Sequence, residues 1–239
     1  MRVVTTDQHD IFKPRGQLAR EVRLAEESFE QVVAILGAQL SDERRARIDE
    51  VIDHRTKRVT VAIEGVNDPH NTAAVIRSAD AFGIQVVHIL ERGTQFRSSR
   101  KVTQGAHKWV DLGTWQSAKT FCEAMRSEGK SVFIAAADGE TDLGDMNHGE
   151  GVALVFGNEH DGVSQEMRRH ADGAFRIPMW GFVDSLNISA AAAIVLATLR
   201  TDGVGTLSAR EKDILRARFY LRAVRAGYDI VQRQMSIRG

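Results

Sequence analysis

Two segments in the second half of the chain constrain the fold most. They are GVALVFGNEHDGVS at 151–164 and IPMWGFVDSLNISAAAAI at 177–194, and each starts as a short apolar strand, breaks at a glycine, crosses a polar turn and enters a helix. In open α/β sheets, ligands bind where such turns gather at the carboxyl ends of the strands. The two segments therefore predict an α/β sheet and locate a ligand site before its chemistry is known.

The rest of the main body alternates strand and helix patterns. The predicted strands are 59–66, 84–90, 109–112, 131–137, 152–156 and 174–177, and the predicted helices are 72–82, 115–127, 164–170 and 186–200. Several strands are continuous apolar runs, as sheets covered on both faces require. Strands that alternate with helices indicate a mainly parallel sheet covered by helices. The predicted fold class is therefore α/β.

Helical extensions flank this body. Apolar positions recur at helical spacing over 17–39, and Ser41, followed by two acidic residues, starts a second helix that reaches about His54. A long C-terminal helix, or a broken pair, begins at Ser208. We therefore predict an N-terminal helical extension at 1–56, a main domain at 57–203 and a C-terminal helical extension at 204–239.

The composition limits the compartment and the chemistry. Cys122 is the single cysteine, so no intrachain disulfide can form and a reducing cytosol is expected. The start of the chain lacks an apolar signal core, and no run approaches the ~20 apolar residues of a membrane span. The eight histidines show no ligand spacing. These features predict a cytoplasmic protein with neither a membrane segment nor a metal.

Charge is segregated along the chain although 32 basic residues balance 32 acidic ones. Residues 131–164 hold seven acidic residues and no Lys or Arg, whereas 92–110 hold five basic residues and no acidic one. Residues 208–239 hold a further eight basic residues against three acidic ones. Each run is about as well explained by a solvated face, but two basic runs in one chain favour binding of a polyanion such as nucleic acid. The Gly-x-Gly-x-x-Gly pattern is absent, which disfavours a nucleotide-binding oxidoreductase.

Three segments together resemble a known family. They are NTAAVIRSADAFG at 71–83, LVFGNEHDGVS at 154–164 and IPMWGFVDSLNISA at 177–190, in this order. Together they resemble the SpoU (TrmH-like) branch of the SPOUT superfamily of RNA ribose 2′-O-methyltransferases, over roughly residues 45–205. Within that branch, the run 40–54 and the Pro-His-Asn entry at 69–71 look most like tRNA guanosine-18 ribose methyltransferases.

The resemblance implies a fold and a cofactor. The C-terminal part of the sheet domain would thread through a loop as a trefoil knot. S-adenosylmethionine would sit bent in the knot, with its adenine held by main-chain groups of three loops. The corresponding positions in this chain are Ala135, Gly157, Ile177, Met179 and Leu186. The family is dimeric, which implies a homodimer with the alanine-rich helix 188–198 as a contributor to the interface.

The resemblance also assigns a catalytic set. Arg77 would act on the ribose 2′-hydroxyl, either as a base together with an RNA phosphate or by gripping the phosphate and orienting the hydroxyl. The second account is favoured because a guanidinium group remains protonated at neutral pH. Asn71 could be a helix N-cap or could position substrate near Arg77. Glu159 would hold the knot loops, and Ser185 and Asn187 would contact the cofactor's amino-acid end or the arginine, although one of these two is expected to start a helix.

Basic side chains supply the candidate RNA contacts. The main candidates are Arg97, Arg100, Lys101, Lys108 and Arg168, and the helices before residue 56 and the arginines 210, 216, 218, 222 and 225 are further ones. Arg168 is equally well explained as a surface charge at a helix end.

The resulting prediction is an S-adenosylmethionine-dependent tRNA ribose 2′-O-methyltransferase acting on guanosine 18 in the D-loop. The alternatives are an rRNA ribose 2′-O-methyltransferase and a non-catalytic RNA-binding or assembly factor on the same fold, and the intact catalytic set disfavours the latter.

Overall fold

The computed structural model describes residues 17–65, 68–92, 108–147, 149–158, 161–201 and 203–238. The chain divides into two compact units. One is the sheet domain, Thr56–Gly203, and the other combines the helices that precede Thr56 with those that follow Gly203. The N- and C-terminal helical extensions therefore belong to the same unit.

A seven-stranded sheet in the order β3-β2-β1-β6-β4-β7-β5 forms the centre of the sheet domain. Every strand pair in it is parallel. The strands are β1 Val59–Glu64, β2 Val86–Leu90, β3 Asp111–Trp115, β4 Ser131–Ala135, β5 Thr141–Asp142, β6 Val152–Phe156 and β7 Gly173–Arg176. The helices of this domain are α3 Pro69–Ala81, α4 Ala118–Ser127, α5 Gln165–His170 and α6 Ile188–Leu199. The predicted parallel α/β sheet is confirmed.

Alternation along the central strands places two apolar cores on the two faces of the sheet. Leu154 of β6 packs in a cluster with residues of α3 and α6, whereas its neighbours Ala153 and Val155 pack in a cluster with residues of α4 and α5. All five residues of β6 are buried because successive side chains of a strand point to opposite faces. This double cover explains why the strand is a continuous apolar run.

The start of α3 differs from the prediction. Asp68, not Asn71, is the N-cap residue: its side chain accepts a hydrogen bond from the backbone N–H of His70 at 2.8 Å. Pro69 occupies the first turn, where a missing N–H costs nothing. The helix therefore begins three residues earlier than predicted, and Asn71 lies within its first turn with its side chain available for a tertiary contact.

Other differences are small. The predicted strand 109–112 lies at Asp111–Trp115, and α4 consequently starts later, after the N-cap Ser117. The two-residue strand β5 was not predicted, since it is too short to show a periodic pattern. In the part of the chain that the structure describes, no helix has both the length and the apolar character needed to cross a membrane.

Four helices lie in the described part of the second unit. They are α1 Gln17–Gly37, α2 Asp42–Asp53, α7 Ala209–Ala223 and α8 Gly227–Arg238. Helix α7 packs on both α1 and α2, and α8 packs on α1 and α7. The C-terminal helix is a broken pair because the chain turns at Ala226, whose φ is 56°.

Several arginines proposed for RNA docking have internal partners in this helical unit. Arg216 donates hydrogen bonds of 2.6 Å to both Asp49 and Asp213, and Arg222 lies 3.9 Å from a carboxylate oxygen of Glu21. The Nε atom of Arg218 is buried. These contacts favour a structural role for the three arginines, whereas Arg210 and Arg225 are exposed.

Candidate active site

A cavity of about 460 Å³ lies beside the carboxyl ends of β4, β6 and β7. This volume falls within the range of small-molecule sites. The cavity walls come from the three turns that follow these strands, which is the place where ligands bind in open α/β sheets. All five positions predicted to hold the cofactor line it: Ala135, Gly157, Ile177, Met179 and Leu186.

The second of these turns folds tightly on itself because Gly157 has no side chain. A Cβ atom on Gly157 would lie 2.1 Å from the carbonyl carbon of Gly162 and 2.3 Å from the backbone nitrogen of Val163. Such contacts are far closer than van der Waals packing allows. The turn is closed by a 3.0 Å hydrogen bond from the Gly162 N–H to the Asn158 carbonyl oxygen. The absence of a side chain at Gly157 therefore lets the turn close on itself, and the closed turn forms one wall of the cavity.

The third turn joins two residues of the predicted catalytic set. Asn187 is the N-cap of α6, and its side-chain oxygen accepts a hydrogen bond of 2.9 Å from the Ser189 N–H. Its side-chain nitrogen donates a hydrogen bond of 3.1 Å to the side-chain oxygen of Asn71. The first turn of α3 is thus tied to the first turn of α6, and these two helices also pack together.

The remaining predicted catalytic residues are placed as follows. Arg77 is exposed on α3, six residues after Asn71. Ser185 is exposed and lines the cavity together with its neighbour Asp184. Glu159 lies outside the described residues.

Charged side chains make the cavity acidic. Asp138, Asp161 and Asp184 line it, together with one cation, Arg168. The Arg168 guanidinium donates hydrogen bonds of 3.1 Å to both carboxylate oxygens of Asp138, and this contact lowers the pKa of Asp138. Because both side chains are largely exposed, the pair contributes at most about 1 kcal/mol to stability. An acidic wall of this kind favours a cationic ligand.

Only part of the predicted RNA-binding set can be placed. Arg97, Arg100 and Lys101 lie outside the described residues. Lys108 is exposed just before β3. Arg168 lies in the cavity wall and forms an ion pair with Asp138. Its place at the end of a helix in the sequence did not indicate that it would line the cavity.

Sequence reasoning missed the carboxylates that line the cavity, because Asp138 and Asp161 belong to an acidic run that resembled a solvated face. It also missed Glu64, a buried charged residue at the end of β1. The signal that could have revealed Glu64 is a carboxylate at the end of the run VTVAI, whose members are all apolar or β-branched. Among the described residues, no group of three or more His, Cys, Asp or Glu side chains could hold a metal ion.

A parallel α/β sheet with an acidic cavity at the carboxyl ends of its strands is the architecture of an α/β protein with a small-molecule site at that edge of the sheet. The chain belongs to the SpoU rRNA Methylase family, whose model matches residues 58–197, more than half of the chain. All three segments that carry the sequence resemblance lie within this range, so the predicted family is confirmed.

Known proteins similar to this chain include both tRNA and rRNA enzymes. The tRNA (guanosine(18)-2′-O)-methyltransferase of Borreliella burgdorferi is 31% identical over 81% of this chain and 91% of its own length. The crystal structure of the Aquifex aeolicus TrmH/SpoU tRNA modifying enzyme matches with a TM-score of 0.68 and 27% identity, over 77% of this chain and 98% of that one. The AdoMet-bound rRNA methyltransferase from Sinorhizobium meliloti matches with a TM-score of 0.56 and 27% identity, over 67% of this chain and 61% of that one.

Proposed function

We propose that this protein is an S-adenosylmethionine-dependent RNA ribose 2′-O-methyltransferase that modifies guanosine 18 in the D-loop of tRNA. Its family membership and its similarity to the Borreliella burgdorferi tRNA enzyme support this function. The observation that carries the proposal is the convergence of the three family segments: two of them line one cavity, and the first is joined to the third through Asn71 and Asn187.

The residues of the cavity fit the cofactor. Because Gly157 has no side chain, the main chain of the second turn can close on itself and form one wall of the cavity. The apolar side chains of Ile177, Met179 and Leu186 offer a surface for an adenine ring. The acidic lining suits a sulfonium cation. When bound, S-adenosylmethionine supplies a methyl group that its positive sulfur activates for transfer to oxygen. We assign its adenine to main-chain groups near Ala135 and Gly157 and to the aliphatic residues of the third turn.

The catalytic role belongs to Arg77. Its guanidinium can bind an RNA phosphate through two parallel hydrogen bonds and thereby hold the ribose 2′-hydroxyl in line with the methyl group. This orienting role is favoured over proton removal because a guanidinium remains protonated at neutral pH. The Asn71–Asn187 hydrogen bond supports the role of Arg77 by fixing the helix that carries it against the third turn. Ser185 and Glu159 complete the proposed set, with Glu159 holding the loops.

RNA docking would use basic side chains around the site and on the helical unit. The main candidates remain Arg97, Arg100, Lys101 and Lys108, with Arg168 at the cavity rim as a further one. In the helical unit, the exposed Arg210 and Arg225 are better placed for phosphate contacts than the arginines that have acidic partners. We propose that the N-terminal extension, residues 1–56, takes part in this docking.

The assembly that we propose is a homodimer. Helix α6 is built almost entirely from Ala, Ile, Val and Leu, so an apolar surface remains on its outer side, where Ile194 is exposed. The preceding turn exposes Trp180 and Phe182 almost completely. Contiguous exposed apolar side chains mark interaction surfaces, and a second copy of the chain would cover these.

We further propose that the C-terminal part of the sheet domain forms a trefoil knot and that the protein acts in the cytoplasm.

A second candidate is methylation of an rRNA ribose by the same chemistry. It is favoured by the description of the family as rRNA methylases and by the similarity to the Sinorhizobium meliloti rRNA enzyme. The two candidates share the cofactor and the catalytic residues and differ only in the RNA.

One experiment separates these candidates. The purified protein is incubated with methyl-labelled S-adenosylmethionine and, separately, with unmodified tRNA and rRNA, and the labelled nucleotide is then mapped. Label on the 2′-oxygen of guanosine 18 in tRNA supports the proposal, and label on an rRNA ribose supports the second candidate. Absence of label from both RNAs would contradict both.

A further inference from the structure

Glu64 is a buried carboxylate at the carboxyl end of the central strand β1, and 3% of it is exposed. Both of its oxygens accept hydrogen bonds from the same residue, which lies 100 positions further along the chain. One oxygen accepts a hydrogen bond of 2.7 Å from the backbone N–H of Ser164, and the other accepts one of 2.6 Å from the Ser164 hydroxyl. A buried carboxylate is costly unless it is hydrogen-bonded in this way.

Ser164 joins the second cavity turn to the helix that follows it. Its hydroxyl oxygen accepts a hydrogen bond of 2.9 Å from the Met167 N–H and so caps α5. Because the hydroxyl proton is donated to Glu64, a lone pair of the oxygen remains free to face Met167. The carboxylate therefore determines the direction in which the hydroxyl of Ser164 points.

The same strand end holds the other end of the turn. The side-chain nitrogen of Asn158 donates a hydrogen bond of 3.3 Å to the carbonyl oxygen of Gly65, the residue after Glu64. Between these two attachments lie Asp161, Gly162 and Val163, which line the cavity. The cavity turn is thus held at both of its ends by two consecutive residues of the β1 terminus.

We infer that Glu64 is a positioning residue for the methyl donor: acting through Ser164, it fixes the turn that forms one wall of the cofactor cavity. The inference rests on the proposed use of this cavity for S-adenosylmethionine. A carboxylate is required because Ser164 presents two donors, an N–H and an O–H, and both need an acceptor. A glutamine keeps the size of the side chain but offers one acceptor and one donor. Its amide nitrogen can meet the Ser164 hydroxyl only by donating to it, which reverses that hydrogen bond and turns the hydroxyl proton away from residue 64.

The test compares Glu64→Gln with the matched control Glu166→Gln. Glu166 also accepts hydrogen bonds from a serine hydroxyl and a backbone N–H, those of Ser117 and Lys119, but it is exposed and does not line the cavity. We expect Glu64→Gln to raise the Kd for S-adenosylmethionine by about tenfold, which corresponds to about 1.4 kcal/mol, and Glu166→Gln to leave the Kd within about twofold of wild type. Calorimetric titration measures both.

Steady-state kinetics separate positioning from general loss of structure. For Glu64→Gln, the KM for S-adenosylmethionine should rise, while the kcat at saturating cofactor and the KM for RNA stay within about twofold of wild type. An unchanged Kd together with a lower thermal midpoint would make Glu64 a purely structural residue and overturn the inference. A lower kcat at saturating cofactor would overturn it as well.

If Glu64→Gln does not fold, a second pair of variants, at Ser164, tests the same inference. Ser164→Ala removes the hydroxyl and should weaken cofactor binding, whereas Ser164→Thr keeps it and should bind as wild type does. Equal, wild-type affinities in both variants would overturn the inference alone. Failure of the wild-type protein to bind S-adenosylmethionine would overturn the proposed function and the inference with it.

Discussion

The sharpest prediction concerns Gly157, the glycine on which the second cavity turn closes. In Gly157→Ala, the added Cβ atom would lie 2.1 Å from the carbonyl carbon of Gly162, 2.3 Å from the nitrogen of Val163 and 2.4 Å from the oxygen of Gly162. All three atoms belong to the backbone, so rotation of a side chain cannot relieve the overlap. Bringing the closest contact from 2.1 Å to a normal separation requires the turn to open by about 1.4 Å or more.

Opening the turn has two measurable consequences. Overpacking of this kind costs roughly 1–3 kcal/mol, so the thermal midpoint should fall by several degrees. The hydrogen bond that closes the turn would stretch, and the cavity wall formed by Gly162 and Val163 would move. We therefore expect the affinity for S-adenosylmethionine to fall by at least about tenfold, a loss of about 1.4 kcal/mol or more.

The assay is calorimetric titration with S-adenosylmethionine alongside a thermal melt, with Gly144→Ala as the control. A Cβ atom on Gly144 would meet no atom within 4 Å, and this glycine is exposed. The control should therefore match wild type in both affinity and melting. If Gly157→Ala bound the cofactor as tightly as wild type, the close main-chain packing of this turn would not shape the cofactor site.

Three further predictions concern Arg77, His88 and Cys122. Arg77→Ala should reduce methyl transfer by at least about a hundredfold while leaving cofactor affinity within about twofold, as measured by single-turnover rates and calorimetry; loss of cofactor binding would point to a structural role instead. Burial lowers the pKa of His88 from 6.5 to about 3. The unfolded state therefore takes up a proton first as the pH falls, so His88 should cost up to about 1.4 kcal/mol of stability per pH unit between pH 6.5 and 3. In urea unfolding, the free energy of unfolding of His88→Gln should depend less steeply on pH in that range than the free energy of unfolding of the wild type. Equal slopes would refute the claim that burial lowers the pKa of His88. Burial raises the pKa of the Cys122 thiol to about 11, so iodoacetamide should label it slowly in the native protein and rapidly in denaturant; rapid native labelling would contradict its core position.

The sheet could be predicted because its strands are nearly uniform in polarity. The run Val152–Phe156 is apolar at every position and is flanked by glycines, a pattern that at this length is typical of a strand covered on both faces. The start of α3 was misassigned because two good N-cap residues, Asp68 and Asn71, flank Pro69. The proline identifies Asp68 as the N-cap residue, since proline fits the first helical turn, where its missing N–H costs nothing.

Long-range association was not predictable from local patterns. Periodicity identifies α1 and α7 as helices but contains no information that residues separated by nearly the length of the chain pack together. The pairing of Arg216 with Asp49 was hidden for the same reason, because Asp49 lies on α2, far away in sequence.

The site was only partly predictable. The five cofactor positions came from the family resemblance, and all of them line the cavity. The Asn71–Asn187 hydrogen bond and the Glu64–Ser164 pair each join residues about 100 positions apart, so no sequence spacing reveals them. What the sequence does reveal is that each residue stands at the end of a strand or the start of a helix, where parallel sheets assemble their ligand sites.

The most direct test of the account is a crystal structure of the protein with S-adenosylhomocysteine, the product form of the methyl donor. We predict density for it in the cavity formed by the three turns, with main-chain atoms near Ala135, Gly157 and Met179 around the adenine. Density elsewhere on the protein, or an adenine held mainly by polar side chains, would contradict the central claim that three converging turns hold the donor through their main chain.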